Sequence, residues 1–172
     1  MPERLVLDAS AAIAVIRREP SRDAVVRVLA DQVARGAEVF VPDHFWLEVA
    51  NVLARRYRFT TEQIVEAVRE LDEFGLQTVV MDRPTWLLTL ERMAATGLAA
   101  YDAVYLAVSH MLDGLLLTLD GDLVAAAGSR AVPLGPRRLA ETSVPYDVGA
   151  PDQVWAEFGG YLAQLRREAL AG

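Results

Sequence analysis

Short, wholly apolar runs alternate along the chain with longer stretches of helical periodicity. Leu5-Val6-Leu7 reads as a buried strand that ends on Asp8, and residues 9–18 predict an apolar helix. Pro20 opens a second helix through Arg35, stopped by Gly36. Val39, Phe40 and Val41 mark a strand over 38–41, and Pro42 starts a helix to about Tyr57. Thr60-Thr61-Glu62-Gln63 has capping-box spacing and starts another helix, ended by Gly75. A strand over 77–81 precedes a helix from Pro84 to about Thr96, closed by Gly97. Residues 99–112 form a strongly apolar helix, closed by Gly114, and Leu115-Leu116-Leu117-Thr118 a strand. A short helix over 123–127 and a weak last strand over 131–134 follow.

Continuous apolar strands alternating with helices predict an α/β fold whose parallel sheet carries helices on both faces. Ligands bind such sheets beyond the carboxyl ends of the strands. That rule singles out Asp8 after the first strand, and Asp120 and Asp122 after the strand over 115–118. The pattern changes near residue 141. Pro145 and Gly149 mark a linker over 143–150, and Asp152 caps a final helix. Val154, Trp155, Phe158, Tyr161, Leu162 and Leu165 give that helix one apolar face, although Gly159-Gly160 weakens its middle. The expected organisation is a main domain over 1–140 and a linker with an amphipathic helix over 141–172. The Trp155/Phe158/Leu162 face is expected to pack on the domain or on a second subunit.

Composition narrows the chemistry. At 172 residues and 53% hydrophobic, the chain suits one sizeable core. No apolar run is long enough to span a bilayer, and Met1-Pro2-Glu3-Arg4 leads into the first strand without a signal-peptide layout, so the expectation is a cytoplasmic protein. There is no cysteine, which excludes disulfides, thiolate metal sites and cysteine nucleophiles. All 17 basic residues are arginine, which excludes a P-loop lysine and Schiff-base chemistry. With only His44 and His110, a histidine-rich zinc site is improbable. Carboxylates remain to carry any chemistry. The net charge of −7 argues against tight autonomous nucleic-acid binding, but bound divalent cations would offset part of it locally.

Each candidate carboxylate also has a structural reading. Asp8 either caps the helix over 9–18 or serves a site, and Ser10 sits where its hydroxyl can bond to it. Glu48 shares one polar stripe with His44, Asn51 and Arg55, on a helix otherwise crowded with apolar residues. The stripe is either solvated or lines a cleft. Asp102 is the only charged residue between Arg92 and Asp113; the macrodipole favours it in a first helical turn, yet that helix is apolar nearly all round. One of Asp120 and Asp122 should serve as turn or cap; Asp120 is taken as the ligand and Asp122 as its neighbour or substitute. Should the four converge, each pair of charges about 4 Å apart costs roughly 4 kcal/mol at an effective dielectric of 20. Such a cluster must bind cations or take up protons. All-oxygen donors suit Mg²⁺ or Mn²⁺, whose usual service is phosphate chemistry.

Four strings, in order, resemble the PIN-domain family, and within it the VapC-type toxin ribonucleases. They are Leu5-Val6-Leu7-Asp8-Ala9-Ser10, Pro42 with Glu48-Val49-Ala50-Asn51-Val52-Leu53, Tyr101-Asp102-Ala103-Val104-Tyr105-Leu106-Ala107, and Leu117-Thr118-Leu119-Asp120. The resemblance covers about residues 3–135 and fades after 137. It implies a three-layer α/β sandwich with a mainly parallel central sheet. It implies a Mg²⁺- or Mn²⁺-dependent endoribonuclease, commonly a homodimer, blocked by a cognate antitoxin. By position Asp8, Glu48, Asp102 and Asp120 match the acidic quartet, Ser10 and Thr118 the hydroxyls beside it, and Asn51 a polar neighbour. An antitoxin would also reconcile an acidic chain with an RNA substrate.

Two other readings compete. A PIN-like fold can serve as a non-catalytic partner- or RNA-binding module, although all four acidic positions are filled. A haloacid-type phosphatase needs Asp-x-Asp after the first strand and a lysine; the string here is Asp8-Ala9-Ser10, with no lysine in the chain. Arg17, Arg18, Arg55, Arg56 and Arg58 end helices, where they meet either phosphates at a groove rim or solvent. Trp46 and Trp86 are expected in the core.

Overall fold

Two strands form from runs of leucine and valine with no polar face, Leu5-Val6-Leu7 and Leu115-Leu116-Leu117, whereas the edge strand over 77–79 is Gln77-Thr78-Val79 with its first two residues exposed. In the computed structural model, which describes residues 3–134, Leu5, Val6, Leu7, Leu116 and Leu117 are fully buried. Strands β1 (Arg4–Leu7), β2 (Glu38–Pro42), β3 (Gln77–Val79) and β4 (Leu115–Leu117) make one parallel sheet in the order β3-β2-β1-β4. Helices α1 (Ala9–Ile16), α2 (Arg22–Ala34), α3 (His44–Arg55), α4 (Thr61–Asp72), α5 (Arg83–Thr96), α6 (Ala100–Met111) and α7 (Gly121–Ala127) flank it, giving the expected α/β sandwich. No helix among the described residues is long and apolar enough to cross a membrane.

β1 holds the centre. Its neighbours β2 and β4 lie on opposite sides, so the chain leaves β1 in one direction and returns on the other. That reversal opens a crevice at the carboxyl ends of β1 and β4. β4 can lie this close because Gly114 precedes it: a Cβ there would meet the Arg4 carbonyl oxygen at 2.8 Å.

Local signals set most helix ends. Thr60 caps α4, with its side chain accepting from the Gln63 N–H and the Gln63 side chain accepting from the Thr60 N–H. Asp82 caps α5 by accepting from the N–H and hydroxyl of Thr85. Some boundaries differ from expectation. Pro42 closes β2 opposite Val79 instead of opening α3, since a final strand residue can do without an N–H. The strand expected over 131–134 is a single bridge between Leu116 and Ala131. Trp86 is not in the core but 48% exposed on α5, while Trp46 is partly buried and its indole N–H donates to Thr78 Oγ1 at 3.1 Å. The expected linker over 143–150, the helix beginning at Asp152 and its packing lie outside the described residues.

Candidate active site

Asp8 directly follows β1, its N–H still donating to the Leu117 carbonyl of β4 at 3.0 Å, and caps α1, so one residue joins the two elements. Its side chain is held by both functions at once. Oδ2 accepts from the Ser10 hydroxyl, from the Ser10 N–H at 3.3 Å and from Thr118 Oγ1 at 2.7 Å. Both hydroxyls are themselves fixed from β4: Ser10 Oγ accepts from the Leu119 N–H at 2.9 Å, and Thr118 Oγ1 from the Asp120 N–H at 3.0 Å. The carboxylate is only 4% exposed. Burial pushes its pKa up, the Ser10 and Thr118 hydrogen bonds pull it back, and the Asp120 charge pushes it up again.

Glu48 comes from α3. Its Oε2 accepts from the Tyr105 hydroxyl of α6 at 2.7 Å, and the His44 Nε2 lies 3.8 Å away. Burial, then the charge of Asp8, push Glu48 up to about 7; the Tyr105 hydrogen bond opposes this, and Asp102 and Asp120 add to it. Asp102, in the first turn of α6, is pushed up to about 6 by burial and then by the charges of Asp120, Asp8 and Asp122. Asp120 caps α7, its Oδ1 accepting from the Leu123 N–H at 2.9 Å. The cap expected of one of the two acids therefore falls to Asp120, while Asp122 is exposed in the first turn of α7. Asn51 is half-buried one turn after Glu48 on α3.

Four carboxylates from four separated segments thus face one another closely enough for each to feel its neighbours' charge. Ser10 and Thr118 brace the first of them. Tyr105 was given no role by the sequence, although it lies one helical turn after Asp102. Burial and the Glu48 charge push its phenol up, so it remains a proton-bearing donor. Among the described residues, no three acidic or imidazole side chains close on one point as a metal cage. The arginine pairs sit elsewhere. Arg17 ends α1 and stacks over the Tyr57 ring at 4.2 Å, with Arg56 at 5.4 Å from the same ring, at the opposite helix ends from the carboxylates.

The sequence model of the PIN domain family matches residues 5–129. The chain belongs to the PIN-domain family. Solved structures share this PIN fold at low identity. A toxin–antitoxin complex from Klebsiella pneumoniae matches with a TM-score of 0.59 and 17% identity, over 76% of this chain and 98% of that one. The VapC20 toxin of Mycobacterium tuberculosis, described as cleaving the sarcin–ricin loop, matches at 0.58 and 18%, over 71% and 94%. FitAcB from Neisseria gonorrhoeae matches at 0.56 and 15%, over 76% and 97%. No curated protein matches the PIN-domain sequence.

Proposed function

We propose that this PIN-domain protein is a divalent-metal-dependent endoribonuclease, the toxin of a toxin–antitoxin pair. One observation carries the reading: the acids at the sheet's carboxyl end destabilise one another as anions. Burial and mutual charge raise Asp8, Glu48 and Asp102 together. A group of carboxylates built at that cost, with only oxygen donors, fits a hard divalent cation. Asp8, Glu48, Asp102 and Asp120 are the residues that would hold Mg²⁺ or Mn²⁺. When bound, such an ion supplies water activation and stabilisation of charge on a phosphodiester.

The chain's own residues do the rest. Ser10 and Thr118 keep Asp8 oriented, so its lone pairs face the crevice in one arrangement. Tyr105 does the same for Glu48 while donating its proton to it. The Asp120 cap ties the fourth acid to α7, and the α7 N-terminus offsets part of its charge. The cap bond uses Oδ1 of that acid.

Neighbours that are a toxin–antitoxin complex and a toxin support an antitoxin partner. A homodimer is supported by α5, whose Trp86, Leu87 and Leu90 turn outward although they are apolar.

Cleavage of labelled single-stranded and structured RNA tests the function, with Mg²⁺, Mn²⁺ or EDTA, for wild type, Asp8→Asn and Asp102→Asn. The expected result is cutting that needs the metal and drops at least a hundredfold in either variant. Equal residual cutting by all three proteins would trace the activity to a contaminant. Metal-independent binding of RNA or a protein partner without cutting would favour a non-catalytic binding module.

A further inference from the structure

The mouth of the acidic crevice carries an aromatic ring that the metal reading leaves unused. Tyr101 sits immediately before Asp102 in the first turn of α6, and it is 70% exposed. No other tyrosine, tryptophan or phenylalanine among the described residues is as open to solvent. Folding does not need it there: α6 buries Ala103, Val104, Tyr105, Leu106, Ala107 and Val108 without it.

The ring nevertheless has a backing. His44 of α3 lies behind it, with ring centroids 5.7 Å apart and planes tilted by 44°. His44 in turn meets Tyr105 edge-on at 5.1 Å. Tyr105 donates to Glu48. One continuous contact line therefore runs from the exposed ring through His44 and Tyr105 to the carboxylates. Both His44 ring nitrogens are buried, and neither completes a hydrogen bond among the described residues.

We propose that the exposed Tyr101 ring, backed by His44, is a stacking platform for one unpaired nucleobase beside the phosphodiester held at the carboxylates. This deepens the ribonuclease reading and rests on it. A flat π-surface with no cationic side chain of its own fits an uncharged base. Stacking accepts any base, because every base offers a π-face. A base paired in a duplex is already stacked on both sides and must leave the helix to reach the ring. The platform therefore selects single-stranded or looped RNA by shape, with no hydrogen-bond readout of sequence.

The test uses the full chain with a short single-stranded RNA carrying 2-aminopurine next to the cleaved position. Wild type should quench the fluorophore on binding. Tyr101→Phe should bind within about twofold of wild type, because the π-face remains. Tyr101→Ala should weaken binding about tenfold or more and lose the quench. Its cleavage defect should fall mainly on KM. An oligonucleotide with an abasic site in place of the fluorophore should bind wild type and Tyr101→Ala equally. Tyr101 is exposed, so unchanged melting of Tyr101→Ala serves as the folding control. Equal KM and equal quenching in Tyr101→Ala, with wild type cleaving, would overturn the platform and leave the nuclease standing. A wild type that neither binds nor cleaves RNA would remove both.

Discussion

Glu48 shows what a single residue contributes here. Its carboxyl is pushed up to about 7, so between pH 6.5 and 8 the folded chain gives up a proton that the unfolded chain has already lost. At this group the folded state binds more protons than the unfolded state, so its contribution to the stability of the metal-free protein falls as pH rises. Asp102, pushed up to about 6, adds a smaller loss in the same direction. Together they amount to about 1 kcal/mol across the window. His44 and His110 are both lowered, so they cost stability as pH falls through the ordinary histidine range and oppose the carboxylates at the acid end of this window. In EDTA the wild-type Tm should fall relative to that of Glu48→Gln between pH 6.5 and 8, and Mg²⁺ or Mn²⁺ should raise the wild-type value. Glu48→Gln should raise the metal-free Tm at pH 8 and abolish cleavage, since an amide still accepts from Tyr105 without carrying charge. A wild-type Tm that does not fall relative to Glu48→Gln over this window, or a Glu48→Gln less stable than wild type at pH 8, would contradict this account.

Elements were legible where their signals are local. The capping box at Thr60 and Gln63, the Asp82 cap with Pro84 behind it, and Gly97 at the end of α5 all act within one turn. Fully apolar strands such as Leu5-Val6-Leu7 admit only a buried place. The candidate carboxylates were legible for a similar reason, since each stands out against an apolar stretch. What sequence pattern missed lies across the fold. Tyr105 meets Glu48 across 57 residues, and no periodicity encodes that meeting. α5 was misjudged because its polar residues face inward. Thr89 returns its hydroxyl to the Thr85 carbonyl at 2.8 Å, so a buried threonine keeps its hydrogen bond and Trp86 is released to the surface. That outward stripe carries its own symmetry. Arg83 and Glu91 are both exposed and stand four residues either side of Leu87. Two antiparallel copies of α5 crossing at Leu87 would set each Arg83 against the other copy's Glu91. Light scattering over a concentration series should give a dimer for wild type. Arg83→Glu should weaken it, and Arg83→Glu with Glu91→Arg should restore it. A wild type monomeric at every concentration would rule this pairing out.

Every candidate acid lies within residues 3–134, as does the core of the described residues, and the family match ends at residue 129. A chain ended at residue 140 should therefore unfold in one cooperative step and retain metal-dependent cleavage. Loss of folding or of cutting would assign residues 141–172 to the working unit. The bond between Thr118 and Asp8 spans 110 positions of sequence. During synthesis Asp8 leaves the ribosome well before Thr118, which braces it, and the fourth acid at Asp120. A growing chain, or a fragment released before β4, holds Asp8 without its clamp and the quartet without its final member. On the proposed ribonuclease reading, cutting must wait until the segment at 118–120 has emerged and docked on Asp8.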